Sequence, residues 1–288
     1  MKQVVFKERI PGLMTEQVIN DEEFNMNVRH MHSEYEIYYL LEGKRYYFIE
    51  SETILIHPGT LLFIKKETIH KTTSVAGYPH YNRMLIELKQ DWMEDFFQRL
   101  RVVTIEGFFE KCRVVELDAE GQRLAEQTIL AISKEAHDRE IGYEQMIRAR
   151  LIELMLYIIR NKQMGPPIDS SGKQLSAKCC KVNEVAEYIQ ENCHKKLSLI
   201  WLAEHFFVSK CYLSRIFKEV TGFTVNEYLT VQRIKRGRRL LETTDYSITQ
   251  ISEMSGFESV TYFERVFKKQ MGQTPFKYRK LRLVKIKE

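Results

Sequence analysis

Hydrophobic and polar residues change their period along this chain, and the changes mark out its parts. From about Val28 to Leu88, short apolar runs rich in Tyr, Ile, Phe and Thr are broken at Glu42–Gly43, Pro58–Gly59 and Gly77. Runs of strand length between regular turn signals predict a small antiparallel β-sandwich or barrel. From about Ala119 to Asn161 the period becomes helical. Leu124, Thr128, Ile129 and Ile132 make one stripe, and Ile147, Leu151, Leu154, Met155 and Ile158 a second. The second helix also carries Ile152, Leu156 and Ile159, so it is apolar around much of its girth and must bury two faces. One covers the sheet or its neighbouring helix; burial within the chain and contact with a second subunit both remain open for the other.

Met164–Ser176 gathers two prolines, two glycines and three serines, and Pro166–Pro167 cannot continue a helix. It reads as a linker (164–177) between a domain over 1–163 and another over 178–288. The latter repeats itself. Ser198-Leu-Ile-Trp-Leu-Ala-Glu and Ser247-Ile-Thr-Gln-Ile-Ser-Glu stand 49 residues apart, and Tyr212–Gly222 matches Tyr262–Gly272 at an offset of 50. Arg215/Arg265, Phe217/Phe267, Lys218/Lys268 and Gly222/Gly272 are identities. Each copy reads as helix, tight turn, helix. In the first, Ser198 caps Leu199–Phe206, Phe207–Val208 turns, and Ser209 caps a helix to about Val220, with Gly222 as its C′ residue. In the second, Ser247-x-x-Gln250 is a capping box, Gly256–Phe257 turns, and Ser259 starts a helix ending near Met271, with Gly272 and Pro275 beyond it. Between the copies, Thr224-x-x-Glu227 opens a longer helix to about Leu241.

The second helix of each copy has two faces. Leu213, Ile216, Phe217 and Val220 form a core stripe, while Cys211, Ser214, Arg215 and Lys218 share an outward one; Phe263, Val266 and Phe267 against Thr261, Glu264, Arg265 and Lys268 mirror the division. Such a helix fits the major groove of double-stranded DNA, where Arg donates two hydrogen bonds to guanine O6 and N7.

Charge sharpens this reading. The net charge of +5 says little, but residues 178–288 hold 21 Lys/Arg against 12 Asp/Glu, and the first 177 hold 23 against 27. The basic third is suited to a polyanion and the rest is not. With 288 residues, 44% hydrophobic and 29% charged, the chain is expected to make two globular domains and is neither collagen-like nor low in complexity. No apolar stretch approaches the ~18 residues of a membrane-spanning helix, and the charged start, MKQVVFKERIPG, lacks a signal peptide's apolar region. A cytoplasmic protein with no membrane partner is expected. Five cysteines in no CxxC spacing read as free thiols.

Residues 178–288 resemble the duplicated helix-turn-helix domain of AraC/XylS-family bacterial transcription regulators. The resemblance is carried by Leu199-x-x-Leu202-Ala203-Glu204, Ser209-x-x-Tyr212-Leu213-Ser214-Arg215-Ile216-Phe217-Lys218, and Arg233-Ile234-Lys235 with Leu240-Leu241. It continues through Gly256-Phe257, Tyr262-Phe263-x-Arg265-Val266-Phe267-Lys268-Lys269 and Thr274-Pro275-x-x-Tyr278-Arg279. It implies two recognition helices held by the long helix so that they enter successive major grooves. Lys210, Cys211, Ser214 and Arg215 would lie near the bases from the first, and Val260, Thr261, Glu264 and Arg265 from the second. Lys218 and Lys268 would hold phosphates. Gly237 departs from the family's usual alanine, costing roughly 1 kcal/mol of helix propensity, and is expected to loosen the connecting helix.

The N-terminal part resembles, more loosely, the cupin-type sensor domain that precedes this DNA reader in many members. His30-x-His32-x-x-x-Glu36 followed by Gly43, then Pro58-Gly59, then Ile69-His70 carry it. In metal-dependent cupins such residues hold a divalent metal, which makes His30, His32, Glu36 and His70 the alternative metal set. Lys65-Lys66-Glu67 replaces the usual turn before His70, so the favoured expectation is no metal and no cofactor. A pocket for a small polar effector, a sugar among the candidates, is expected on His30, His32, Glu36, Tyr38, His70, His80 and Arg83.

The expected fold is α+β: a cupin-like β-barrel with a helical pair, then an all-α domain of two helix-turn-helix units joined by a long helix. The expected function is an effector-responsive activator of carbohydrate or other small-molecule uptake or catabolism genes. It would act as a homodimer on double-stranded DNA with RNA polymerase as partner. The alternatives are a metal-dependent cupin enzyme with a DNA-binding appendage, and an effector-independent regulator; no catalytic motif favours the enzyme.

Overall fold

Strands form over the first part of the chain because alternate residues meet different cores. The computed structural model describes residues 2–22, 33–161 and 175–285, in two compact units, Met1–Ser176 and Ala177–Glu288. The linker assigned to 164–177 lies outside the described residues over 164–174.

The first unit contains β1 (Lys2–Ile10), β2 (Leu13–Asn20), β3 (Tyr35–Gly43), β4 (Arg45–Ile49), β5 (Glu52–Ile56), β6 (Thr60–Ile64), β7 (His70–Ser74), β8 (Tyr81–Leu88) and β9 (Val114–Glu116). A six-stranded sheet of order β1-β2-β8-β3-β6-β9 packs against a three-stranded sheet of order β5-β4-β7, all antiparallel. No ladder joins the sheets among the described residues, so the expected barrel is an open, cupin-like sandwich. The pattern did not foresee the β1–β2 hairpin: β1 is an edge strand, mostly exposed and rich in charge, as edges that avoid further pairing are.

The two faces of the larger sheet separate by residue parity. Tyr35, Ile37 and Tyr39 of β3 join Leu61, Phe63, Met84, Ile86 and Leu88 in a core shared with the helices of this unit. These are α1 (Glu94–Leu100), α2 (Ile105–Lys111), α3 (Ala119–Asp138) and α4 (Tyr143–Arg160). The short α1 and α2 escaped the periodicity; α3 and α4 are the expected pair. Ile147, Leu151, Leu154, Met155 and Ile158 are all fully buried, and each contributes about 1.5–3 kcal/mol relative to exposure. Ile152, Leu156 and Ile159 remain half-buried.

The second unit comprises α5 (Ala177–Asn192), α6 (Leu199–His205), α7 (Lys210–Thr221), α8 (Val225–Thr243), α9 (Ile248–Met254), α10 (Val260–Met271) and α11 (Pro275–Lys285). Its helices begin where the sequence places caps. Ser198, Ser209 and Ser259 accept from Trp201, Tyr212 and Tyr262 amides, and Thr224 and Ser247 form full capping boxes with Glu227 and Gln250. Gly222 and Gly272 close α7 and α10 in the left-handed region. Pro275, expected only beyond the last helix, is the first residue of another.

Helix α8 touches α5, α7, α9, α10 and α11. Arg233 donates to the Cys193 and Lys195 carbonyls just after α5, at 2.8 and 3.0 Å, and Arg236 donates to the Met254 carbonyl closing α9, at 2.9 Å. The basic run of α8 thus supplies C-caps to its neighbours. Gly237 is buried, and a Cβ there would lie 2.9 Å from Phe263 Cε2 and 3.1 Å from Ser255 Oγ. The expectation that Gly237 loosens α8 is therefore corrected: the missing methyl lets the Phe263 ring lie against the helix. Among the described residues no helix is long and apolar enough to cross a membrane.

Candidate functional site

The outward faces of α7 and α10 are built the same way. Leu213, Ile216, Phe217 and Val220 are buried in α7, as are Phe263 and Phe267 in α10, where Val266 is half-buried. That fixes the opposite faces outward. Lys210, Cys211, Arg215 and Lys218 are exposed with Ser214 half-buried; Thr261, Glu264, Arg265 and Lys268 are exposed with Val260 half-buried. Neither helix has an acidic residue in its first turn.

One feature of this surface was not read from the sequence. The Arg215 guanidinium lies 5.8 Å from the centroid of the Tyr212 ring, and Arg265 lies 5.2 Å from that of Tyr262. Both tyrosines are about two-fifths exposed. The pairs stand at i, i+3 and share one helical face. Each ring attracts its cation and narrows the Arg side chain's range. The signal was available, since Tyr-x-x-Arg recurs at the same offset as the rest of the repeat.

The second candidate site is the space between the two sheets. Its apolar lining includes Val18, Leu40, Ile49, Ile56, Leu62 and Leu85. The same strand parity sends Glu16, Glu36, Tyr38, Arg45, Tyr47, His70, Tyr81 and Arg83 into it. Buried charge is costly unless matched, so these partnerships define the chamber. The Glu36 carboxylate accepts from the Tyr47 hydroxyl at 2.8 Å and faces His70 Nε2 at 3.2 Å. His70 Nδ1 lies 3.0 Å from the Thr68 carbonyl oxygen, which only accepts. Nδ1 is therefore placed to donate to that oxygen. Burial raises the Tyr47 phenol well above its usual pKa, and Glu36 adds to this, keeping it a donor.

Arg83 pairs with Glu16, whose other oxygen takes Lys7 at 3.0 Å. Burial opposes both charges of the Arg83–Glu16 pair, and their mutual attraction outweighs it, lowering the acid's pKa and raising the base's. Arg45 is 0% exposed. It donates to Thr72 Oγ1 at 3.1 Å and Ser74 Oγ at 2.9 Å, and stacks 4.3 Å over the Tyr81 ring. Among the described residues, the Tyr38 hydroxyl and Arg83 Nη1 in this space make no hydrogen bond.

The structure thus brings Glu36, Tyr38, His70 and Arg83 together and adds Arg45, Tyr47, Tyr81 and Glu16, which sequence reasoning missed because strand order alone places them there. His30 and His32 lie outside the described residues. Glu36 and His70 meet each other directly, and the described residues contain no group of three side chains suited to a metal. His80 stands apart, half-buried where β2 and β3 end and β8 begins. Its Nδ1 is 2.8 Å from Asp21 and its Nε2 3.0 Å from Glu42, and the Asp21 bond, then the Glu42 bond, raises its pKa.

The free thiols fit their surroundings. Cys112, Cys179 and Cys193 are buried, Cys180 is half-buried and Cys211 exposed. Burial pushes Cys112 up to about 11.

Two family models match this chain: an AraC-like ligand binding domain over residues 20–153 and a helix-turn-helix domain over 202–281. The chain is 28% identical over 257 residues to the HTH-type transcriptional regulator YfiF of Bacillus subtilis, covering 88% of this chain and 78% of that one. HTH-type regulators of Staphylococcus aureus are 39% identical over 136 residues, which span 47% of this chain and 17% of theirs. Among solved structures, ToxT of Vibrio cholerae aligns over 94% of this chain and 98% of its own at 14% identity, with a TM-score of 0.41. The DNA-binding domain of AdpA, solved with a target DNA, aligns over 34% of this chain and 88% of its own at 32% identity, with a TM-score of 0.33.

Proposed function

Since this chain belongs to the AraC family of helix-turn-helix DNA-binding transcription regulators and carries that family's ligand-binding domain, we propose that it is an effector-responsive activator that reads DNA with α7 and α10. Lys210, Cys211, Ser214 and Arg215 face the bases of one major groove, and Val260, Thr261, Glu264 and Arg265 those of the next. Lys218 and Lys268 hold phosphates and set the register. The observation that carries this reading is the duplicated outward face, with an arginine resting on a tyrosine twice.

The chamber between the sheets takes a small polar effector on Glu36, Tyr38, His70 and Arg83, with Arg45 and Tyr47 beside them. An effector shifts DNA affinity only by as much as its own affinity differs between two states of the protein. As a homodimer it would present four recognition helices to DNA. The regulator then works in the cytoplasm with RNA polymerase on genes for uptake or catabolism of carbohydrates or other small molecules.

Cys211 provides the test. Its thiol is exposed on the proposed reading face, so an operator fragment found by genome-wide mapping should slow its alkylation by N-ethylmaleimide at least tenfold, read by peptide mass spectrometry. Prior alkylation should abolish the specific complex. Unchanged labelling under saturating operator refutes the assignment of this face.

A further inference from the structure

We propose that Glu264 sets the sequence preference of α10: its carboxylate accepts a hydrogen bond from the N4 amino group of a cytosine, so the DNA beneath α10 carries a C·G pair at one fixed position. This rests on the reading of α7 and α10 as base-facing helices and names one base which that reading leaves open.

The duplication supplies an internal comparison. The capping serines, Tyr212/Tyr262, Arg215/Arg265 and Lys218/Lys268 are the same in both copies. Three of the four positions assigned to bases differ: Lys210 against Val260, Cys211 against Thr261, and Ser214 against Glu264. Two helices with one frame and unlike contact residues read unlike bases, so the operator has two unequal halves. The change at 214/264 is the most selective of the three. A serine hydroxyl both donates and accepts and so suits any base edge, whereas a carboxylate only accepts.

The carboxylate is also available. Glu264 is exposed, and among the described residues it makes no hydrogen bond or ion pair. Lys268 stands four residues later, the order and spacing that favour an ion pair on a helix. Glu242 of α8 uses the same spacing in the opposite order to reach Arg238 at 3.7 Å, but Glu264 leaves Lys268 alone. Arg265 is drawn to the Tyr262 ring, 5.2 Å away. One turn earlier on the same face, Val260 brings no charge where α7 has Lys210.

The chemistry of the groove then selects the base. A free carboxylate facing phosphates is repelled, so on a helix that meets DNA it belongs where a base presents a donor. Glu264 is the fifth residue of α10, in the N-terminal part that lies nearest the bases in helix-turn-helix docking. The donors in the major groove are cytosine N4 and adenine N6, while guanine and thymine present acceptors. Adenine N6 stands beside N7, an acceptor that repels a carboxylate oxygen; cytosine N4 stands beside a C–H group. Cytosine is therefore the base that Glu264 admits, and the other three meet a repulsive lone pair.

The experiment uses the purified full chain and the operator fragment found by genome-wide mapping, with each of the four base pairs placed at every position in turn. Bound and free duplexes are separated by mobility shift and sequenced. The wild type should show a position where C·G is preferred about tenfold or more over the other pairs, within a few base pairs of the one that Arg265→Ala relaxes. Glu264→Ala should erase the preference at that position alone. The same variant should bind random-sequence duplex about twofold more tightly at about 50 mM salt, because a repelling charge has gone. Glu264→Gln should admit A·T at least as well as C·G, since an amide pairs with adenine N6 and N7. Both variants should keep the wild-type Tm, as the carboxylate has no partner to lose. If Arg265→Ala relaxes a position while Glu264→Ala alters none, or if Glu264→Gln still demands C·G, then α10 reads DNA but the cytosine assignment is overturned. If neither Arg265→Ala nor Glu264→Ala alters any base preference, the reading of α10 itself fails and this inference falls with it.

Discussion

Phe207 and Gly256 hold the same place in the two turns, both in the left-handed region at φ 55° and 89°. The hydrogen bonds around them match: Val208 N to the Ala203 carbonyl at 2.9 Å, and Phe257 N to the Ser252 carbonyl at 3.0 Å. Their surroundings differ. A Cβ on Gly256 would lie 2.7 Å from the Cys193 carbonyl oxygen, the same oxygen that accepts from Arg233. Phe207 is 95% exposed, so its side chain meets nothing. A non-glycine residue here carries about 1–2 kcal/mol of strain. Phe207→Gly should therefore leave stability unchanged or raise it by up to about 1 kcal/mol, after the unfolded-state entropy of glycine is deducted. Gly256→Ala should cost about 2 kcal/mol or more, because its neighbour is backbone and cannot step aside. Urea unfolding of both variants measures the contrast, and equal effects would sink it.

Gly237→Ala should destabilise as well, despite alanine's better helix propensity of about 1 kcal/mol. The new methyl meets the Phe263 ring at 2.9 Å, and Phe263 is fully buried. Overpacking of this kind costs about 1–3 kcal/mol, so the net loss is about 1 kcal/mol. Combining Gly237→Ala with Phe263→Leu should show favourable coupling in a double-mutant cycle; strict additivity would contradict the contact.

Arg215→Ala should lose about 1–3 kcal/mol at the cognate operator and relax the base preference at one position. Tyr212→Leu, which keeps bulk but removes the ring, should lose less, about 0.5–1 kcal/mol, by freeing the Arg215 side chain. Electrophoretic mobility shifts on operator and random DNA distinguish the roles. An equal loss on both would make Arg215 a phosphate contact, visible as a shallower salt slope.

His80 should give this protein a small pH response. Its folded pKa is raised above the ordinary 6.5 by Asp21 and Glu42, and Glu42 is lowered below 4.5, chiefly by His80. The histidine's contribution is complete below its unfolded pKa and disappears as pH rises through the folded value. The glutamate's is present above its unfolded pKa and disappears as pH falls through the folded one. The bridge is thus strongest at about pH 5–6. Exposure and salt screening keep the effect to about a degree or two in Tm. Melting curves at pH 5.5 and 8.5 in low salt should show a loss in the wild type that His80→Gln lacks; parallel losses would dismiss the bridge.

Helices α7 and α10 were legible because everything that builds them is local. Ser209 and Ser259 cap within three residues, Leu213 to Val220 recur at helical spacing, and duplication repeats each signal. The sandwich was legible as a class but not in detail. The edge strand β1 has too little burial to leave a pattern. Arg45, Tyr81 and Arg83 come from strands β4 and β8, and only the pairing of sheets shows that they share a space.

The amino-acid order alone settled the two-part organisation, the α+β class, the capped helix pairs and the outward cations of α7 and α10, since these follow from the chain's own periods. Tertiary packing decided what periods cannot express. It set Glu36 against His70, left the Tyr38 hydroxyl and one Arg83 nitrogen unmatched, and turned Gly237 from an apparent weakness, and Gly256 from a turn signal, into close contacts. These outcomes depend on which atoms from distant segments arrive within a few ångströms, and that distance is fixed by the fold as a whole.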